Sequence, residues 1–328
     1  MSHHPFACGR RSFLVGAAAT AALVATGAKS TPAAASASSK ARQRIGWSSM
    51  EFAMDRGTDR PMPVRLLCPD RPTANAPLIA FSHGAASSGG AYDEVLTDWA
   101  QRGYVIVAPT HSDSRLLSPN GLSRDEERTE RVADIQRLLD GETMLSTLLE
   151  PRGITLDPEQ RAVAGHSYGG MIAAIFGGAI WGQPRGNLSP QENRLRAVVA
   201  ISPPGKMPSA ITGDEYATLE TPCLVTTGTQ DIALTPGAHW SEHLFAYRRS
   251  LSRPAYALIG EGVDHYFGGL ICRGDLPGPP QWDALADLQD ISRLFLDAML
   301  GRSDEAQAKL DRHAGGAGLR TSTLEMRK

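Results

Sequence analysis

A serine hydroxyl attacks a carbonyl only when a base takes its proton, and a histidine serves best as that base when a carboxylate orients it. The chain carries such a set at long spacing. Ser167 lies in Gly165-His166-Ser167-Tyr168-Gly169, after the apolar Ala162-Val163-Ala164 and before a small-residue run that starts at Met171. A G-x-S-x-G placed where a strand turns sharply into a helix exposes the serine Oγ and leaves the next amide free to donate. The flanking glycines remove side chains that would collide as the chain doubles back. Asp231 follows the apolar run 223–227, and His265 follows the run 255–259. The set therefore reads as nucleophile Ser167, orienting acid Asp231 and base His265, in the order Ser, Asp, His.

An oxyanion formed at the carbonyl needs two preorganised donors. The amide of Tyr168 is one, at the start of a helix whose dipole favours negative charge; the amide of Ala85, in Ser82-His83-Gly84-Ala85, is expected to be the other. His83 and His111 are candidate pocket residues. His166 is expected to point away from the serine. Asp264 is a rival carboxylate, but neighbouring side chains diverge, so it is read as fixing its own loop. Two patterns could ligate metal. His111-Ser112-Asp113 lacks a third ligand nearby and reads as pocket wall; His239-Trp240-Ser241-Glu242-His243 matches H-x-x-E-H, yet Trp240, Leu244 and Phe245 give that segment the packing face of an outer helix. No metal and no cofactor are expected.

The elements that must hold these residues alternate. Runs at 45–52 and 64–68 read as an opening hairpin, followed by buried strands at 77–81, 104–108, 161–164, 197–201, 223–227 and 255–259. Helical spacing occupies 91–102, 132–149, 171–177, 238–250 and 284–300. This is an α/β pattern: a mostly parallel sheet of about eight strands with helices on both faces. Longer inserts at 111–130, 181–193, 203–221 and 266–282 fall after strand ends or after the nucleophile helix, where ligands bind in such sheets, and are expected to shape a pocket.

The chain of 328 residues carries a net charge of −2 with Lys and Arg scattered, which gives no electrostatic footprint for nucleic acid. Of the four cysteines, Cys8 lies near the N-terminus, so Cys68, Cys223 and Cys272 can form at most one internal disulfide; Cys68 and Cys223 sit in apolar runs and read as core. Arg10-Arg11-Ser12-Phe13-Leu14, a short alanine-rich apolar run and Ala33-Ala34-Ala35-Ser36-Ala37 have the three parts of an export signal, with paired arginines of the twin-arginine type. The apolar run is too short to span a bilayer stably. Residues 1–41 are read as leader and linker and 42–328 as the folded domain, exported through the twin-arginine machinery to a periplasmic or extracellular location.

Residues 45–300 resemble the α/β-hydrolase superfamily. Phe81-Ser82-His83-Gly84, Ala108-Pro109-Thr110-His111-Ser112-Asp113 and Gly165-His166-Ser167-Tyr168-Gly169-Gly170 resemble the platelet-activating-factor acetylhydrolase and dienelactone-hydrolase-like branch, although dienelactone hydrolases use a cysteine where this chain has Ser167. Exported polyester hydrolases and cutinases are similar in the same element. The resemblance implies hydrolysis of a carboxylic ester, small-molecule, lipid or polymer, through an acyl-enzyme. An acyltransferase or peptidase would use the same residues, and a non-catalytic binding module on this fold is the non-enzyme alternative.

The leader reading has a direct outcome. Protein recovered after export should begin after Ala35 or Ala37 by intact mass, and exchanging both Arg10 and Arg11 for Lys should leave the full-length precursor inside the cell; export of the doubly exchanged chain would sink the twin-arginine reading.

Overall fold

A computed structural model describes residues 46–328 except 59, 120, 182–194, 207–210, 233–238 and 277. The described residues lie within the unit Gln43–Lys328. The leader expected over 1–41, and most of the insert read at 181–193, lie outside the described residues.

The sheet is built on strands apolar at consecutive positions, as burial on both faces requires. These are β3 (Thr73–Ser82), β4 (Val105–Pro109), β5 (Ile154–His166), β6 (Leu195–Ile201), β7 (Cys223–Gly228) and β8 (Ala255–Gly260). Their side chains alternate between two cores. Leu78, Ala80, Val105, Val107, Val163, Val198 and Val225 feed one; Ile79, Phe81, Ile106, Ala164, Val199, Leu224 and Tyr256 feed the other. Helices α2 (Arg124–Asp140), α3 (Glu142–Leu149), α4 (Tyr168–Phe176) and α5 (Phe245–Arg249) cover the first face, and α1 (Asp93–Ala100), α6 (Trp282–Met299) and α7 (Asp304–Ala314) the second.

With β1 (Trp47–Met54), β2 (Met62–Pro69) and β9 (Ser322–Arg327), nine strands run in the order β1-β2-β4-β3-β5-β6-β7-β8-β9. β3 through β8 are mutually parallel, while β1 and β2 at one edge and β9 at the other run antiparallel to their neighbours. β4 and β5 lie on opposite sides of β3, so the chain reverses its winding direction there. The carboxyl ends of β3 and β5 open the crevice that this topology reserves for ligands. This is the α/β-hydrolase architecture.

Several local readings are revised. The ninth strand and α7 lie beyond the last element read from the sequence; Leu324 is the one buried residue of this edge strand, with Met326 packed half-buried beside the core. The helix expected over 132–149 is two helices broken at Gly141, and the first begins at Arg124. Its early turns carry no apolar stripe because the inward positions are Arg128, Arg131 and Asp134. Its start is a capping box, with Ser123 and Glu126 each accepting the other's backbone amide. The helix expected over 238–250 is a 3-10 turn, Trp240–Leu244, running into the short α5. Cys68, Cys223 and Cys272 are free buried thiols. No helix among the described residues is long and apolar enough to cross a membrane.

β9 covers the edge of β8, and Arg327 ties it to α5 by donating to the carbonyls of Tyr247 and Ser250. A chain ended before Ser322 should melt several degrees lower and scatter light on heating, because an open edge strand templates association. An unchanged melting temperature with no scattering would show that β9 is dispensable.

Candidate active site

β5 ends at His166 and α4 begins at Tyr168, so Ser167 alone makes the turn between them, at φ 53° and ψ −120°. A non-glycine residue in this region costs about 1–3 kcal/mol and persists only where its surroundings enforce it. Here they do. The Ser167 amide donates to Ile201 O at 2.8 Å, and its carbonyl accepts from the amides of Gly170 and Met171. A Cβ on Gly165 would stand 2.2 Å from Gly169 O, and one on Gly169 only 1.9 Å from Ser82 O. Both glycines are there for close backbone approach.

The loops after β7 and β8 meet beside the elbow. Gly228 lets them touch, since a Cβ there would stand 2.0 Å from Val263 O, and the Gln230 amide donates to the same oxygen. This sets His265 Nδ1 2.7 Å from Asp231 Oδ1, while Asp231 Oδ2 accepts from Thr227 Oγ1 at 3.0 Å. Burial opposes the charge on Asp231, but hydrogen bonds from His243 and His265 override it and hold its carboxyl far below the usual carboxylate range. His265 Nε2 is buried and has no hydrogen-bond partner among the described residues, Ser167 Oγ included. Such a contact is often open before substrate arrives and closes in the reactive complex. Asp264 accepts the amides of Tyr266 and Gly268, so it fixes its own loop.

The chain runs from β3 through His83 into the turn Gly84-Ala85-Ala86-Ser87, closed by the Ser87 amide on Gly84 O. The amides of Ala85 and Tyr168 make no hydrogen bond among the described residues. The next amide, that of Ala86, donates to Asp113 Oδ2 at 3.0 Å. Arg131 grips the turn from behind, donating to His83 O at 2.6 Å, to Gly84 O at 3.2 Å and to both oxygens of Asp113 at 2.8 Å. Burial works against the charged form of Asp113, yet Arg131 holds its carboxyl well below the ordinary range.

His83 and His111 are fully buried and saturated, so they stand behind this turn and do not line a pocket. His83 donates from Nδ1 to Gly84 O at 2.7 Å and accepts the His111 amide at Nε2, which requires a neutral ring; burial, then Arg131, pushes its pKa well down. His111 Nδ1 meets Asp134 Oδ2 at 2.8 Å, and Asp134 in turn takes a two-point contact from Arg56. His166 is also buried and faces away from the serine. It accepts from the Tyr92 hydroxyl at Nδ1 and donates from Nε2 to His265 O, each at 2.9 Å, while Tyr92 accepts the Gly84 amide. One chain of hydrogen bonds thus joins the β3 turn, the elbow and the His265 loop.

Sequence reasoning missed Arg131, Tyr92 and His243. The first two lie in segments whose polarity or helical spacing carries no mark of their partners. His243 was visible in H-x-x-E-H, but the segment is not a regular helix: His239 is exposed and caps the 3-10 turn, whereas His243 is buried with Nε2 3.2 Å from Asp231 Oδ1. Asp231, His243 and His265 present donor atoms within 4.8 Å of one another. Within it, His265 Nδ1 is hydrogen-bonded to Asp231 Oδ1 at 2.7 Å, and His243 Nε2 stands at ion-pair distance from the same oxygen.

A family model described as chlorophyllase matches residues 40–203. The match spans the β3 turn and the elbow and ends before Asp231 and His265. A crystal structure from Klebsiella pneumoniae subsp. pneumoniae, of a protein assigned as a dienelactone hydrolase, is similar in fold, with a TM-score of 0.52 at 15% identity over 79% of this chain and 100% of that one. No curated protein matches.

Breaking a buried ion pair from one side strands a charge and costs about 3–5 kcal/mol. Arg131→Met should therefore lower the unfolding free energy measured in urea by that order, and adding Asp113→Asn should restore part of it. Because the Asp113 pKa is lowered in the fold, the pair stabilises fully above about pH 4 and loses that contribution as pH falls further. A double variant as unstable as Arg131→Met alone would refute the pairing.

Proposed function

The chain belongs to the chlorophyllase family of α/β-hydrolases and is an esterase-type hydrolase, and from that premise we propose that it is an exported serine esterase that works through an acyl-enzyme. The observation that carries this reading is the Asp231–His265 pair: Nδ1 is engaged at 2.7 Å and Nε2 is left buried without a partner among the described residues, beside an elbow that bends at Ser167.

Ser167 Oγ attacks the ester carbonyl while His265 Nε2 takes its proton. Asp231 keeps the proton of His265 on Nδ1 and stabilises the imidazolium that forms. The tetrahedral oxyanion lies against the amides of Ala85 and Tyr168, which are held rigidly and so need no reorganisation as charge develops. His265 then protonates the leaving alkoxide, and the alcohol departs. Water, deprotonated by His265, attacks the acyl-enzyme; its collapse returns the proton to Ser167 and releases the carboxylic acid.

The substrate class is a carboxylic ester with an apolar portion. Leu116, in the insert after β4, is 75% exposed and Ile232, in the insert after β7, is 61% exposed. Both follow strand ends at the edge of the sheet that carries Ser167, where they offer apolar surface to an acyl or alcohol chain. The leader supports a location outside the cytoplasm.

Ser167→Ala should lower kcat on short-chain p-nitrophenyl esters by on the order of 10⁵-fold with no change in the unfolding midpoint. It should also abolish labelling by a fluorophosphonate. Turnover retained in the folded variant would overturn the nucleophile assignment.

A further inference from the structure

His243 shares the carboxylate of the site. It lies in the 3-10 turn Trp240–Leu244, is 7% exposed, and sits between Asp231 and the Pro203 carbonyl. Nδ1 is 2.6 Å from Pro203 O, and Nε2 is 3.2 Å from Asp231 Oδ1. A carbonyl oxygen and an ionised carboxylate only accept, and a neutral imidazole has only one N–H. Both contacts are hydrogen bonds only if the ring carries two protons. The oxygen that faces Nε2 is the same Oδ1 that His265 Nδ1 engages at 2.7 Å.

We propose that His243 is a positioning residue, held as an imidazolium between Pro203 and Asp231, and that its charge sets the pH at which His265 becomes competent as a base. The proposal rests on the assignment of Ser167, His265 and Asp231 above. A bare carboxylate at Nδ1 favours the protonated, idle form of the base; an imidazolium on the same oxygen offsets that pull. It also stands close enough to oppose a second positive ring, with the His243 and His265 ring centroids 5.8 Å apart.

The groups facing His243 are Asp231 from the loop after β7, His265 from the loop after β8 and, beyond it, His166 from the elbow. His166 is neutral, since its Nδ1 accepts from Tyr92. Glu242, on the same turn, accepts the Lys206 amide at 3.2 Å. Asp231 is thus the carboxylate that answers the charge. Burial alone pushes a histidine toward neutrality, but the hydrogen bond and charge of Asp231 outweigh it and raise His243 above the ordinary histidine value. The resulting stabilisation is complete below about pH 6.5 and is lost as pH rises through the higher folded value.

Two measurements test the proposal. In the full chain labelled with ¹⁵N at histidine, the ring of His243, assigned through its own backbone, should show both nitrogens protonated at pH 7.5. One bare nitrogen there would overturn the proposal, whatever the fate of the catalytic assignment. In kinetics, His243→Gln should move the acid limb of the kcat/KM profile on a p-nitrophenyl ester upward by about one pH unit, and His243→Arg should move it back. A lower rate with an unmoved acid limb in His243→Gln would mean a merely structural role and would also overturn it. Turnover surviving in Ser167→Ala would instead defeat the esterase mechanism and leave the ring protonation standing.

Discussion

Backbone passing backbone with no side chain between is the constraint on which this site depends. Gly169 lies so close to Ser82 O that a Cβ would come within 1.9 Å, and a Cβ on Gly165 would stand 2.2 Å from Gly169 O. Only that proximity lets β5 turn into α4 through the single residue Ser167, and it brings the end of β3 alongside the elbow. The β3 turn, which contains Ala85, and the helix start at Tyr168 are neighbours because those two backbones touch. The unfavourable φ of Ser167 is the local cost of turning strand into helix within one residue, and the surrounding sheet sustains it.

Around that contact the polar groups are organised by protonation. His83 and His166 are neutral because each uses one nitrogen to accept, from the His111 amide and the Tyr92 hydroxyl respectively. They serve as uncharged spacers between loops. Buried charge is paired wherever it occurs. Arg131 with Asp113 clamps the β3 turn from behind, Arg56 with Asp134 stands behind His111, and Asp231 faces His265 and His243. Burial makes every one of these groups expensive to leave unpaired, so each fixes the geometry of the loop it touches. His265 Nε2 is thereby left buried with no hydrogen-bond partner among the described residues.

The legible part of the fold was the part dictated by local chemistry. Runs such as 104–108 and 197–201 can only be strands buried on both faces, and their alternation with amphipathic segments implies the parallel sheet. β9 was not legible, because an edge strand with a single buried residue, Leu324, has no apolar run to announce it. The first turns of α2 were hidden for the opposite reason: their inward residues are charged, and Arg131 and Asp134 find partners outside the helix. Asp113 is 18 residues from Arg131, and Arg56 is 78 from Asp134.

By itself the sequence determined the elbow, since G-x-S-x-G between an apolar run and a small-residue run admits few other conformations, and it determined the order of Ser167, Asp231 and His265. Tertiary structure decided what those residues meet. Whether His83 and His111 face a pocket or brace a turn, and whether His243 packs in a helix or leans on Asp231, depends on contacts between segments tens of residues apart. Periodicity records only which face of an element is apolar; it carries no record of which buried polar groups will share one carboxylate, because that pairing exists only once the loops after β6, β7 and β8 have been brought to one edge of the sheet.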